Sequence, residues 1–94
     1  MPWFGALYFY ERHVIERLAP EEAGVLLLKG IGGRWIYIGE TGNIRTRLLE
    51  LLDGQNDCVA RESPTDFAFE VIAAPDLREA RQRQLAQKFN PACP

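Results

Sequence analysis

The stretch of residues 24–48, GVLLLKGIGGRWIYIGETGNIRTRL, decides the fold of this 94-residue chain. Residues 24–29 form a continuous apolar run that is too short to be a helix of its own, and the glycine-rich residues 30–33 end it. Residues 34–39, RWIYIG, are β-branched and aromatic. The two runs therefore predict an antiparallel hairpin, covered on both sides because both faces of each strand are apolar.

A helix is predicted to follow this hairpin directly. The residues TGN at 41–43 are candidate caps, and Asp53-Gly54 ends the element. The apolar stripe of this helix consists of Ile44, Leu48, Leu51 and Leu52. On the preceding strand, alternation predicts Trp35, Tyr37 and Gly39 on one face and Ile36 and Ile38 on the other.

The flanking segments complete a single α/β domain over residues 1–94. We expect an amphipathic helix over 7–18, a loop over 55–66, a third strand over 67–72, and a last helix over about 77–89 with Asp76 as its N-cap. The predicted order is α-β-β-α-β-α, a small three-stranded antiparallel sheet flanked by helices.

Composition excludes several classes of protein. With 47% hydrophobic and 26% charged residues the chain is globular, and no apolar run reaches the length of a membrane span. The first ten residues carry no basic group, which argues against a secretory signal. Cys58 and Cys93 lie far apart without other ligands at metal-binding spacing, so they indicate neither a disulfide framework nor a zinc site. A cytoplasmic location is the expectation.

The charge is uneven although the net charge is only -2. Residues 29–47 and 78–94 each carry four basic groups against one acidic group, and the acidic stretch 48–77 lies between them. If the basic blocks meet in the fold, they form a positive patch that suits a polyanion. The alternative is that they are ordinary solvated helix faces.

Tyr37 and Arg47 are the candidate chemical groups. Arg47 falls within or beside the apolar stripe of its helix, whereas Arg45 points outward. A guanidinium stabilises charge on a phosphodiester, and a phenol of lowered pKa takes a proton from water. The alternative is a core tyrosine beside a surface arginine whose stem packs on the protein.

The linked motifs GVL at 24–26, YIG at 37–39 and ETGNIRTRL at 40–48 resemble the GIY-YIG nuclease module. The resemblance implies a three-stranded antiparallel sheet flanked by helices, catalytic roles for Tyr37 and Arg47, and a Mg²⁺ or Mn²⁺ ion if the domain is active. Together with the basic blocks it suggests a phosphate-facing groove, for which Arg45, Arg47, Arg78 and Arg81 are the candidate residues that bind nucleic acid weakly.

The sequence departs from the family pattern at positions that carry catalytic and metal-binding groups. Leu26 stands where the family has its first tyrosine, Gln82 occupies the position of the metal-holding glutamate, and Pro94 replaces the closing asparagine. Glu79, one turn before Gln82 along its helix, is a candidate substitute ligand. The leading hypothesis is a catalytically degenerate nuclease-like domain that binds nucleic acid or phosphate through a residual groove. An active metal-dependent phosphodiesterase and a protein-interaction module with a vestigial site are the alternatives.

Overall fold

The structure, a computed structural model, describes residues 5–94. Its strands are β1 (Tyr8–Phe9), β2 (Gly24–Lys29), β3 (Trp35–Thr41) and β4 (Asp66–Val71). Its α-helices are α1 (Arg12–Leu18), α2 (Ile44–Leu52), α3 (Asp57–Glu62) and α4 (Pro75–Phe89). None of the helices between residues 5 and 94 has both the length and the apolar character needed to cross a membrane. The expectation about a secretory signal rests in part on residues 1–4, which lie outside the described residues.

The sheet is antiparallel, with the strand order β1-β4-β2-β3. The predicted pairing of β2 with β3 is confirmed, and a single 3₁₀ turn at Ile31–Gly33 connects them. The prediction of three strands is corrected to four. β2 lies in the middle of the sheet, and β3 is an edge strand.

The fourth strand, β1, occupies part of the segment predicted to be a helix over 7–18. Tyr8 pairs with Phe67, and its ring centroid lies 5.4 Å from the Phe67 ring. The helix therefore begins only at Arg12, after Glu11 in extended conformation. Pairing with a strand that is distant in sequence outweighs the local helical spacing, a frequent outcome for short apolar segments.

Two further local predictions are wrong. The polar segment 55–66 contains α3, because the side chain of Asn56 caps this helix by accepting a hydrogen bond from the Val59 amide at 3.1 Å. The last helix begins earlier than predicted, with Pro75 as its first residue and Ala74, not Asp76, as the N-cap. Asn43 does cap α2, as expected from TGN, by accepting from the Thr46 amide at 3.0 Å.

The sheet separates two apolar layers where the sequence predicted one core. We call the side covered by α1, α2 and α3 the α2 face; its buried residues include Leu26, Leu28, Ile44, Leu48, Leu51 and Phe67. The other side, the α4 face, is a smaller layer formed by Val25, Leu27, Ile38, Ala68 and Leu85. The apolar patterns predict a single core that contains Val25, Leu27, Trp35, Ile36, Ile38, Leu48, Leu51 and Phe69. Trp35 and Phe69 are only partly buried, and the other six are buried.

A bulge in β3 corrects the predicted alternation of this strand. Leu28 pairs with Tyr37 and Lys29 pairs with Trp35, which leaves Ile36 as an extra residue. Ile36 consequently packs on the α2 face together with Tyr37. Trp35 packs on the α4 face, where its ring stacks on Phe89 at 4.7 Å between centroids.

The expectation that the two cysteines stay apart is also wrong. Cys58 of α3 and Cys93 of the C-terminal segment form a disulfide, with their Cα atoms 5.8 Å apart. Sequence spacing gave no sign of it, because 35 positions separate the two residues and the bulged edge of β3 brings them together.

Candidate nucleic-acid site at the edge of the sheet

The phenol of Tyr37 lies along β3, over Gly39. A methyl group at position 39 would stand 2.8 Å from the Tyr37 hydroxyl oxygen, closer than van der Waals contact allows. The YIG sequence therefore has a local steric cause: side chains two residues apart share a face of a strand, and the glycine leaves room for the ring. Tyr37 is partly buried against the α2 face and partly exposed.

Helix α2 carries Arg47 to the same place. Ile44 and Leu48 are buried against the sheet, which puts Arg47 at the border of the buried stripe, as its spacing predicted. Hydrogen bonding to Tyr37 is the largest cause that raises the pKa of Arg47, ahead of the contribution from Glu50. The guanidinium is thus a permanent cation beside a phenol, and about a third of the side chain, 31%, is exposed.

Glu50 is the second neighbour of this cation. Its carboxylate lies 3.2 Å from Nη1 of Arg47, one helical turn further along α2. Both side chains are more than 30% exposed, so water screens the pair. An incoming phosphate therefore competes with a solvated carboxylate for the guanidinium.

Arg45 has a structural contact in place of the predicted outward position. Its Nε donates to the carbonyl of Ala19 at 2.8 Å, and Nη1 lies 3.5 Å from a carboxylate oxygen of Glu21. These contacts join α2 to the connection between α1 and β2. Arg45 therefore helps to fix the helix that presents Arg47.

Arg78 and Arg81 lie on the α4 face, opposite the face that carries Tyr37. Arg78 pairs with Glu40 at 2.9 Å, and Arg81 makes two hydrogen bonds of 2.8 Å to Glu70. Hydrogen bonding to Glu70 is also the largest cause that raises the pKa of Arg81. Both glutamates stand opposite Val25 in the strand register, which places them on its face of the sheet.

The structure thus brings together Tyr37 and Arg47 and keeps the α4 arginines apart from them. Sequence reasoning missed Glu40 and Glu70, which neutralise those arginines. Both glutamates lie on strands that pair with β2, at the positions opposite Val25. Only the strand register shows that they face α4.

Gln82 occupies the edge of β3 between these two faces. Its side-chain amide donates to the backbone carbonyl of Ile38 at 3.3 Å. Leu26, paired with Gly39, is fully buried beneath the site. The side chain that α4 places at the strand edge is therefore a neutral amide, while Glu79 lies on the exposed part of the helix.

This donor set does not fit a divalent cation anchored by a carboxylate from α4. Mg²⁺ is held by anionic oxygens together with water and phosphate. The carboxylates of Glu40 and Glu70 are held by arginines, and Gln82 supplies no charge. Within residues 5–94, no three His, Cys, Asp or Glu side chains form a group able to hold a metal ion.

Comparison with solved structures found similarity to the GIY-YIG N-terminal endonuclease domain of UvrC from Thermotoga maritima. A point mutant of that domain, bound to its catalytic divalent cation, is 30% identical, with 83% of this chain and 91% of that chain covered and a TM-score of 0.70. The magnesium-bound domain is 30% identical, with 83% and 92% covered and the same TM-score of 0.70. A scan against models of known protein families and a search of curated proteins both gave no match.

Proposed function

The chain belongs to the GIY-YIG nuclease superfamily, and from this premise we propose that it binds the phosphate backbone of nucleic acid through Tyr37 and Arg47 without cleaving it. The observation that carries the proposal is the pairing of a partly exposed phenol and guanidinium at an edge where α4 supplies Gln82. The proposal includes the cytoplasmic location expected from composition.

Arg47 supplies most of the attraction for phosphate. Its raised pKa keeps it charged at any physiological pH, and a guanidinium forms two parallel hydrogen bonds to phosphate oxygens. Backbone contacts of this kind are insensitive to sequence and weaken as salt rises. One such arginine gives weak binding, in keeping with the protein's net charge of -2.

Tyr37 adds a hydroxyl next to that cation. The phenol is held in place by the ring contact over Gly39 and by its neighbour Arg47. It is therefore preorganised to donate to a phosphate oxygen that Arg47 already holds.

Cleavage needs more than these two residues. A divalent ion, where one is bound in a nuclease, stabilises charge on the phosphate and activates water. In this chain the α4 side chain at the strand edge is an amide engaged with Ile38, and the buried side chain opposite Gly39 is Leu26. Leu26 and Gln82 thus replace a phenol and a carboxylate of the family pattern. Loss of one preorganised catalytic group commonly lowers the rate by a factor of about 10² to 10³.

The test is incubation of the chain with duplex and single-stranded DNA and with RNA, in Mg²⁺ or Mn²⁺. We expect no products beyond those given by the Arg47→Ala variant, and binding that declines with salt. Metal-dependent cleavage that Arg47→Ala abolishes would refute the proposal and favour Glu79 as the ligand. Absent or salt-insensitive binding would favour the protein-interaction module instead.

A converse variant checks that the missing groups explain the missing activity. Leu26→Tyr combined with Gln82→Glu supplies a phenol and a carboxylate at the two departing positions. We expect this double variant to bind Mn²⁺ more tightly than the unaltered chain, measured by calorimetry. The single variant Glu79→Gln, on the exposed part of the same helix, is the control and should give the same Mn²⁺ titration as the unaltered chain.

A further inference from the structure

The segment that follows α4 closes over the edge of β3 and ends at the disulfide. The amide of Ala92 donates to the Trp35 carbonyl at 3.1 Å, and the amide of Cys93 donates to the Ile36 carbonyl at 2.8 Å. These are edge-strand carbonyls, which would otherwise face water. Residues 91–94 therefore form a strap that runs from α4 along the strand edge to α3.

This strap is joined to the backbone of the candidate site. Ile36 is the extra residue of the β-bulge, and its carbonyl belongs to the same planar peptide group as the Tyr37 nitrogen. The hydrogen bond from Cys93 thus holds the peptide that orients Tyr37. Displacement of the strap removes that hold without breaking a pair in the β2–β3 ladder.

Besides the disulfide, the strap is attached by these two backbone hydrogen bonds and by the buried side chain of Cys93. The Cys93 side chain is buried with Ile36 and Val59, while Cys58 lies on α3, a helix of six residues, and is partly exposed. Asn90, in the left-handed conformation with φ of 48°, ends α4 immediately before the strap. The disulfide therefore links a helix of six residues to a short segment in which Ala92 and Pro94 are exposed.

From this arrangement we propose that the Cys58–Cys93 pair is a redox-controlled latch on the strap. A dithiol reductant attacks the disulfide through a mixed disulfide, is itself oxidised to a disulfide, and leaves two thiols on the chain. The strap then detaches from the edge of β3 while the four-stranded sheet stays folded. This role rests on the cytoplasmic location that the proposed function includes, because disulfides in a reducing compartment are mostly transient or redox-sensing.

Amide hydrogen exchange of the full chain, without ligand, tests the latch. Reduction with excess dithiothreitol should speed exchange of the Ala92 and Cys93 amides by about tenfold or more. The reason is that the strap can then detach from β3 without unfolding of the sheet. The central-strand amides of β2 should exchange no faster than before. The Cys58→Ser variant, which leaves the buried Cys93 in place, should reproduce the reduced state without a reductant.

Two results would overturn the latch. Unchanged protection of Ala92 and Cys93 would mean that the strap is held without the disulfide. Loss of protection throughout β2 on reduction would mean that the disulfide is a global staple and not a latch. Any effect on oligonucleotide affinity rests on the proposed function, and the exchange measurement is independent of it, so the two proposals fail separately.

Discussion

The two faces of the sheet differ in how firmly their carboxylates hold the arginines. On the α4 face, Arg78 and Arg81 are matched with Glu40 and Glu70, and 13% and 33% of these arginine side chains is exposed. On the α2 face, Arg47 lies beside the Tyr37 phenol and shares one contact of 3.2 Å with Glu50, whereas Arg81 on the other face makes two hydrogen bonds to Glu70. A count of basic residues therefore does not measure the positive surface available to a phosphate.

The largest effect should come from removing the arginine of the α2 face. Arg47→Ala should weaken binding to a short oligonucleotide about tenfold, because hydrogen bonds to charged groups contribute about 1.5 to 3 kcal/mol. The dependence of log affinity on log salt should also flatten by about one unit. Fluorescence anisotropy at several salt concentrations measures both quantities.

The matched control for that prediction is Arg81→Ala. Since Glu70 already neutralises Arg81, its removal should change affinity by less than about twofold. If Arg81→Ala weakened binding as much as Arg47→Ala, the distinction between the faces would be wrong.

A smaller effect is expected from filling the space under Tyr37. Gly39→Ala puts a methyl group against the phenol, so the ring must move away from β3 and from Arg47. We expect the free energy of unfolding to fall by about 1 kcal/mol, at the low end for overpacking. Chemical denaturation measures this change, and binding should weaken alongside it.

Gly42→Ala provides the comparison for this variant. A methyl group at Gly42 meets open space, and its backbone lies outside the left-handed region. Its free energy of unfolding should therefore stay within about 0.5 kcal/mol of the unaltered chain. Equal losses for both variants would indicate a general cost of replacing glycine and no special role for the Tyr37 ring.

The smallest effect concerns the contact that holds α2 on its face. The hydroxyl of Tyr10 donates to the carbonyl of Leu48 at 2.9 Å. Leu48 follows Arg47 directly in the sequence. Tyr10→Phe should cost about 0.5 to 1 kcal/mol near neutral pH, the usual net contribution of one hydrogen bond. Denaturation curves at neutral pH measure it.

The same substitution should alter the pH dependence of stability. Burial, with a further contribution from Asp53, raises the pKa of Tyr10 above its ordinary value. The unfolded chain therefore loses this proton first, so stability is fully present below about pH 10 and declines as pH rises beyond it. In Tyr10→Phe that part of the alkaline decline should disappear, and an unchanged decline would contradict the assignment to Tyr10.

The stretch 24–48 predicted the hairpin and α2 because their determinants are local. Apolar runs separated by glycines specify β2 and β3, and Asn43 with the stripe Ile44, Leu48 and Leu51 specifies the helix. The proximity of Tyr37 and Arg47 also follows from this local connection. The sequence could therefore predict the pair that we propose as the site.

The features that were missed depend on contacts between distant residues. β1 forms because Tyr8 packs on Phe67, and the bulge at Ile36 coincides with a strap that arrives from the other end of the chain. The partners of Arg78 and Arg81 depend on strand register. No local pattern encodes these contacts, so spacing and composition did not indicate them.

The central claim is that phosphate binds on the α2 face, at Tyr37 and Arg47. The most direct test is a nitrogen-15 NMR titration of the chain with a short single-stranded oligonucleotide at low salt, repeated with Arg47→Ala. We expect shift changes centred on Tyr37 and Arg47 that are lost in the variant, with Arg78 and Arg81 little affected. Shift changes centred on α4 that persist in Arg47→Ala would contradict it.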